Sequence, residues 1–260
     1  MKNVVFSLLI LASLGLQSHS TKKQKMNTDK ITIDIWSDIV CPFCYIGKKK
    51  IEQTITKLGA EDKVEIIWHS FQLDPDFSED KAIPSISYLS ERKGYPIDQV
   101  MGMCGQLTAQ GKAYGIQFNF DSALTFNTLN AHRLIQWAKQ MDKASELKEA
   151  LMFAYFSEGV DLSQQENLLT VVKKIGLDAK AAQEMLNGND FFAEVVSDID
   201  QVKSLGINGV PYFIINGSQP IYGAQSDAVF ENALAAALKN LKPSEASTKE
   251  GVCLPSGECK

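Results

Sequence analysis

The order in which strand-like and helix-like periodicity fall along this chain does most to restrict its fold. In "ITIDIW" (31–36), Ile31, Ile33 and Ile35 alternate with other residues, the period of a half-buried strand. Beyond it, Cys44, Ile51, Ile55 and Leu58 recur at near-helical spacing and Gly59 supplies a stop. "KVEIIWHSFQL" (63–73) reads as a second strand, with Pro75 just past its end. Strand, helix, strand implies a parallel βαβ unit. From about Ser85 to Gly206 the pattern is helical almost throughout. "NTLNAHRLIQWAKQM" and "SELKEALMFAYFSEG" are amphipathic, and Ser163 and Glu166 have the spacing of a capping box. Strand character returns in "GVPYFIINGSQPIYG" (209–223), where Asn216-Gly217 is a hairpin turn signal. "SDAVFENALAAALKNL" (226–241) reads as a closing helix. The expected fold is therefore α/β, with helices inserted into a sheet-forming domain. That domain is expected over 31–84 and 207–242, with the insertion over 85–206 and a flexible tail over 243–260.

A chain of 260 residues can bury a substantial core. Its net charge of −5, with no basic stripe, argues against nucleic acid as a partner. The run Lys48-Lys49-Lys50 reads as a solvated helix face. Residues 1–20 have the form of a signal peptide: Lys2, the apolar "VVFSLLILASLGL", then small residues up to Ser20. Residues 21–30 read as a polar linker. The expectation is export to the periplasm or beyond; a start at Met26 would instead give a cytoplasmic form.

The five cysteines are Cys41, Cys44, Cys104, Cys253 and Cys259. The first two form C-P-F-C directly after a strand. Pro42 suits the first position of a helix, because its missing N–H would be unpaired there anyway. Cys41 then becomes the N-cap, its sulfur turned toward the first-turn N–H groups and the positive end of the helix dipole. Such placement lowers a thiol pKa from about 8.5 to roughly 3.5–7.5. Cys44, one turn on and expected to be more buried, can resolve a mixed disulfide formed at Cys41.

Rival chemistries fit less well. A structural disulfide between cysteines three apart closes too short a loop to stabilise much. A zinc site needs four ligands, and the spacing and tail position of Cys253 and Cys259 suit one poorly, so no metal is expected. A cysteine hydrolase needs a histidine base, and His69 and His132 both read as structural. Cys104, in "MGMCGQL", reads as a buried small hydrophobe. Cys253 and Cys259, in "GVCLPSGEC", are either a second redox pair that exchanges with Cys41–Cys44 or a passive staple of the tail.

"IDIWSDIVCPFCYIGKK", "NTLNAHRLIQWA" and "GINGVPYFIINGSQPIYGAQ" resemble the DsbA-like branch of the thioredoxin superfamily, in particular its FrnE-like members. The resemblance spans residues 31–241. It implies a thioredoxin fold with a large all-helical insertion and thiol–disulfide oxidoreductase activity without a cofactor. The implied partners are protein or small-molecule thiols and disulfides and a redox recycling partner. It also implies a cis bond between Val210 and Pro211, beside the active cysteines, turning the Val210 backbone toward an extended substrate. Phe43 stands where DsbA carries histidine, so a less oxidising pair is expected. Asp38 either relays a proton to Cys44 or is a solvated turn residue. Hydroxychromene carboxylate isomerases and kappa-class glutathione transferases share the insertion but typically carry serine in place of Cys41. A glutathione-dependent isomerase or transferase, or a holdase chaperone using the cleft between subdomains, are the alternatives.

Overall fold

A computed structural model describes residues 30–78 and 81–241. Strand β1 (Ile31–Ser37) leads into helix α1 (Pro42–Lys57) and then β2 (Val64–Ser70). Two residues of strand, β3 (Ile83–Pro84), precede a helical turn α2 (Ser85–Ser87), which runs on into a π-helical turn at Tyr88–Arg92. Next come α3 (Ile97–Lys112), β4 (Leu124–Thr125), α4 (Leu129–Lys139), α5 (Ala144–Phe156), α6 (Gln165–Lys174), α7 (Ala179–Asn187) and α8 (Phe192–Ser204). The chain returns to the sheet as β5 (Tyr212–Ile215) and β6 (Gln219–Tyr222), and α9 (Asp227–Asn240) closes it.

The main sheet has the order β2-β1-β5-β6. β1 and β2 run parallel from Ile31 opposite Val64 to Ser37 opposite Ser70, the expected βαβ unit. β5 lies antiparallel to the other edge of β1, with Trp36 opposite Tyr212. The β5–β6 hairpin turns through Asn216 and Gly217, both at positive φ, which is why an Asn-Gly pair marks it. Period two along β1 sorts its side chains: Ile31, Ile33 and Ile35 enter the main core, while Trp36 enters a smaller one with Phe71, Val202, Ile207 and Tyr212.

The helices between β2 and β5 form the insertion. It is not purely helical, because β3 and β4 pair as a two-residue antiparallel ribbon, with Ser85 N–H donating to the Ala123 carbonyl. Such a short pairing leaves no run of alternating residues for sequence reading to detect. An aromatic cluster joins the insertion to the sheet domain: Tyr45 of α1 stacks with Phe156 of α5, whose ring also meets Phe118, Phe120 and Tyr155. Arg133 of α4, nearly buried, donates to the carbonyls of Met185, Leu186 and Gly188 and so caps the C-terminal end of α7.

Two local expectations fail. Ser163 does not cap α6: that helix starts at Gln165, and the Ser163 hydroxyl donates to the Asp161 carboxylate instead. Lys48 and Lys50 are not solvated. Lys48 is 3 % exposed and pairs with Glu52 and, across to the insertion, Glu149; Lys50 donates to the Gln225 carbonyl beside α9. Both sides of α1 are covered, so a run of three lysines has only Lys49 left near the surface.

Candidate active site

Cys41 follows β1 by a tight turn in which its own N–H donates to the Asp38 carbonyl. It is extended (φ −91°, ψ 112°), and its carbonyl accepts from the N–H groups of Cys44 and Tyr45. It is therefore the N-cap of α1, with Pro42 opening the helix as expected. Its side chain makes no capping hydrogen bond to the first turn. The thiol donates instead to the Val210 carbonyl, Sγ to O 3.6 Å, across 169 residues of chain. The Val210–Pro211 bond is cis, as the resemblance implied. Gly223 N–H donates to the Pro211 carbonyl at 2.8 Å and holds that bend on the end of β6.

Cys41 and Cys44 are both thiols here and nearly equally buried, at 3 % and 1 % exposed. The expected contrast in burial is absent: the Val210 backbone lies against Cys41, and Cys44 is buried in the first turn of α1. The Cys41 thiol is pushed well up, against the expectation of a lowered value. The Cys44 side chain beside it is the main cause, burial comes second, and the charge of Cys44 and then that of Asp38 add to these; the Cys44 backbone N–H only partly offsets them. Phe43, 47 % exposed, projects from the first turn beside these thiols.

Asp38 lies beneath the turn and is buried, which removes the reading of it as a solvated turn residue. Its Oδ2 accepts from Leu73 N–H at 2.9 Å, and its Oδ1 accepts from His132 Nε2 at 3.2 Å. His132, which the sequence reads as structural, ties α4 of the insertion to the site through this bond. Lys148 of α5 is 0 % exposed and donates to the Ser37 carbonyl at 3.3 Å, with its ammonium 5.1 Å above the Trp68 ring. Burial pulls its pKa down to about 8, and the negative charge available at Cys44, Asp38 and Cys41 limits the fall.

A model of the DSBA-like thioredoxin domain matches residues 32–235. The chain belongs to this family. Among solved structures, a protein of Streptomyces coelicolor described as a probable DsbA oxidoreductase is 29 % identical, with a TM-score of 0.77 over 86 % of this chain and 99 % of that one. A 2-hydroxychromene-2-carboxylate isomerase shares the fold at 16 % identity and TM-score 0.61, over 80 % of this chain and 97 % of the other. Among curated proteins, the uncharacterized protein YwbO of Bacillus subtilis is 27 % identical over 209 residues, 79 % of this chain and 96 % of its own.

This DSBA-like fold brings Cys41, Pro42, Phe43, Cys44, Asp38, Val210 and Pro211 into one place. Cys253 and Cys259 lie outside the described residues, as do residues 1–29. Cys104 is not buried as expected: it sits half-exposed on α3. Among the described residues no group of His, Cys, Asp and Glu could hold a metal ion, and no helix is long and apolar enough to cross a membrane. Sequence reading overlooked Lys148. The signal was present, since Lys148 shares a helix face with Met152 and Tyr155, four and seven positions on, and both are buried.

Proposed function

We propose that this DSBA-like protein is a thiol–disulfide oxidoreductase in which Cys41 attacks and Cys44 resolves. The observation that carries the reading is the Cys41 thiol on the first turn of α1, against the backbone of Val210 and with Cys44 one turn behind. A substrate disulfide approaching Cys41 meets the Val210 carbonyl at the start of β5. An extended peptide can take over that acceptor as the thiol leaves it, extending the sheet's pairing by main-chain hydrogen bonds.

The reading also has a direction. A low thiol pKa stabilises the reduced form and makes a pair oxidising. Here Cys41 is pushed up, and Phe43 offers no positive charge to reverse this. With no cation at position 43, the pair is less oxidising than that of DsbA, at about −120 mV. It therefore reduces or isomerises disulfides more readily than it installs them, and a separate donor of electrons keeps it reduced.

Equilibration of the purified protein with glutathione redox buffers, together with an insulin-reduction assay, tests this. Cys41→Ser is expected to abolish turnover, and Cys44→Ala to trap a mixed disulfide at Cys41. Turnover that survives Cys41→Ser would overturn the reading. Suppression of aggregation without turnover, unaffected by that substitution, would favour a holdase.

A further inference from the structure

Lys148 presents a cost that packing alone does not explain. A fully buried ammonium is expensive unless it is well paired. The hydrogen bond that Lys148 makes is to one main-chain carbonyl, that of Ser37, and the ring of Trp68 lies over it. A methionine would fill the same space without a charge. Four of the groups that act on it belong to the floor of the dithiol. Ser37 ends β1 and Asp38 follows it, Cys41 caps α1, and Cys44 lies in its first turn. His132 bonds Asp38 from α4. The Ser37 hydroxyl and His132 Nδ1 are buried with no hydrogen-bond partner among the described residues. Deeper on α5, Tyr155 stays neutral because burial pushes its phenol well up. Lys48, on α1, is a neighbouring cation that opposes Lys148, and it is itself neutralised by Glu52 and Glu149.

We propose that Lys148 is a positioning residue for disulfide exchange: its buried ammonium is the countercharge for the Cys44 thiolate that the resolving step requires. The proposal rests on the oxidoreductase reading and concerns its second step. In the first step the Cys41 sulfur attacks a substrate disulfide. One substrate sulfur leaves with the electron pair and the other stays bonded to Cys41. Cys44 then gives up its proton, and its sulfur attacks Cys41 Sγ. The Cys41–substrate bond breaks, the second substrate sulfur leaves with its electron pair, and the Cys41–Cys44 disulfide forms. Two electrons pass to the substrate, and the two protons lost by the cysteines end on the two substrate thiols through solvent. Only the second step places negative charge on Cys44, which is 1 % exposed. Lys148 comes from the insertion, so the insertion takes part in the chemistry of the thioredoxin unit.

Stopped-flow measurement of the two steps with a chromogenic aromatic disulfide, from pH 6 to 9.5, separates the claims. The first release of aromatic thiolate reports attack by Cys41, and the second reports resolution. Each unit by which loss of a countercharge raises a thiol's pKa removes about tenfold of its thiolate, of which greater nucleophilicity returns roughly threefold. Lys148→Met is therefore expected to slow the second release at pH 7 by at least about threefold and to slow the first by less, because Cys44 is the larger of the two cysteine charges that act on Lys148. The wild-type second release should lose rate above about pH 8 as Lys148 deprotonates, and Lys148→Arg should abolish that loss. Slowing of both releases by one factor at every pH, or a Lys148→Met profile identical to wild type, would overturn the proposal. If Lys148→Met does not fold, the Lys148→Arg profile decides alone: an unchanged loss above pH 8 overturns it. Absence of any first release in the wild type would sink the oxidoreductase reading itself, a result distinct from all of these.

Discussion

The thiol of Cys41 donates to the carbonyl of Val210, 3.6 Å away, although Cys41 is the N-cap of α1 and its N-terminal N–H groups lie close at hand. A carbonyl acceptor favours the protonated sulfur, whereas the helix end favours the thiolate. Cys41 is held between the two, and the neighbouring Cys44 side chain and the surrounding burial tip it toward the thiol.

Alkylation should show this balance directly. In the reduced protein, iodoacetamide is expected to label Cys41 slowly at pH 6, with a rate that climbs through a midpoint above about 8.5, the ordinary thiol value. Mass-spectrometric mapping across pH gives the midpoint. Rapid labelling of Cys41 at pH 6 would mean that the helix end outweighs the Val210 contact.

Gly47 sets how closely α1 approaches the start of β5. A Cβ there would lie 3.0 Å from the Phe213 ring and 3.1 Å from Pro211 Cγ, and Phe213 is wholly buried against Phe230. Gly47→Val is expected to destabilise the protein by about 1–3 kcal/mol, the usual cost of overpacking. It should also slow turnover, because Cys41 and Val210 are carried by the two elements it pushes apart. Denaturant unfolding and the insulin assay measure the two effects separately.

His69 makes stability depend on pH. It bonds Asp34 at 2.8 Å and Asp198 at 2.7 Å and stacks on Trp36, joining β1, β2 and α8. Burial pulls its pKa down, but the hydrogen bonds to Asp198 and Asp34 outweigh burial and leave it raised. A raised value contributes stability fully below the unfolded value of about 6.5, and that contribution is lost as pH rises through the folded value. Asp198 works in the opposite sense. Burial pushes it up, the bond to His69 and the charge there pull it further down, and its contribution is lost as pH falls below the carboxylate range. The cluster should therefore hold best between about pH 4 and 6.5. The urea midpoint is expected to fall between pH 6 and 8.5, and His69→Gln should flatten that fall. An equal slope in the variant would assign the pH dependence to other groups.

The reading of residues 1–20 as a signal peptide predicts a mature chain that begins near Thr21 outside the cytosol. N-terminal sequencing of protein from its native host checks it, and a cytosolic chain beginning at Met1 or Met26 would refute it.

Much of this molecule follows from residues that neighbour one another in the chain. The alternation of Ile31, Ile33 and Ile35 makes β1, Pro42 places Cys41 at the N-cap, and Asn216-Gly217 turns the hairpin; each is a local steric or capping preference that short stretches carry. Tertiary structure alone decided how the site is charged. Asp38 and Lys48 look solvated in sequence but are buried once α4 and α5 pack over β1 and α1. Cys41 looks like a stabilised thiolate until Val210, 169 residues on, supplies an acceptor for its proton. Lys148 reaches the dithiol from 111 residues beyond Ser37. The desolvation and pairing that set these protonation states depend on which distant groups come within a few ångströms, and no local pattern encodes that distance.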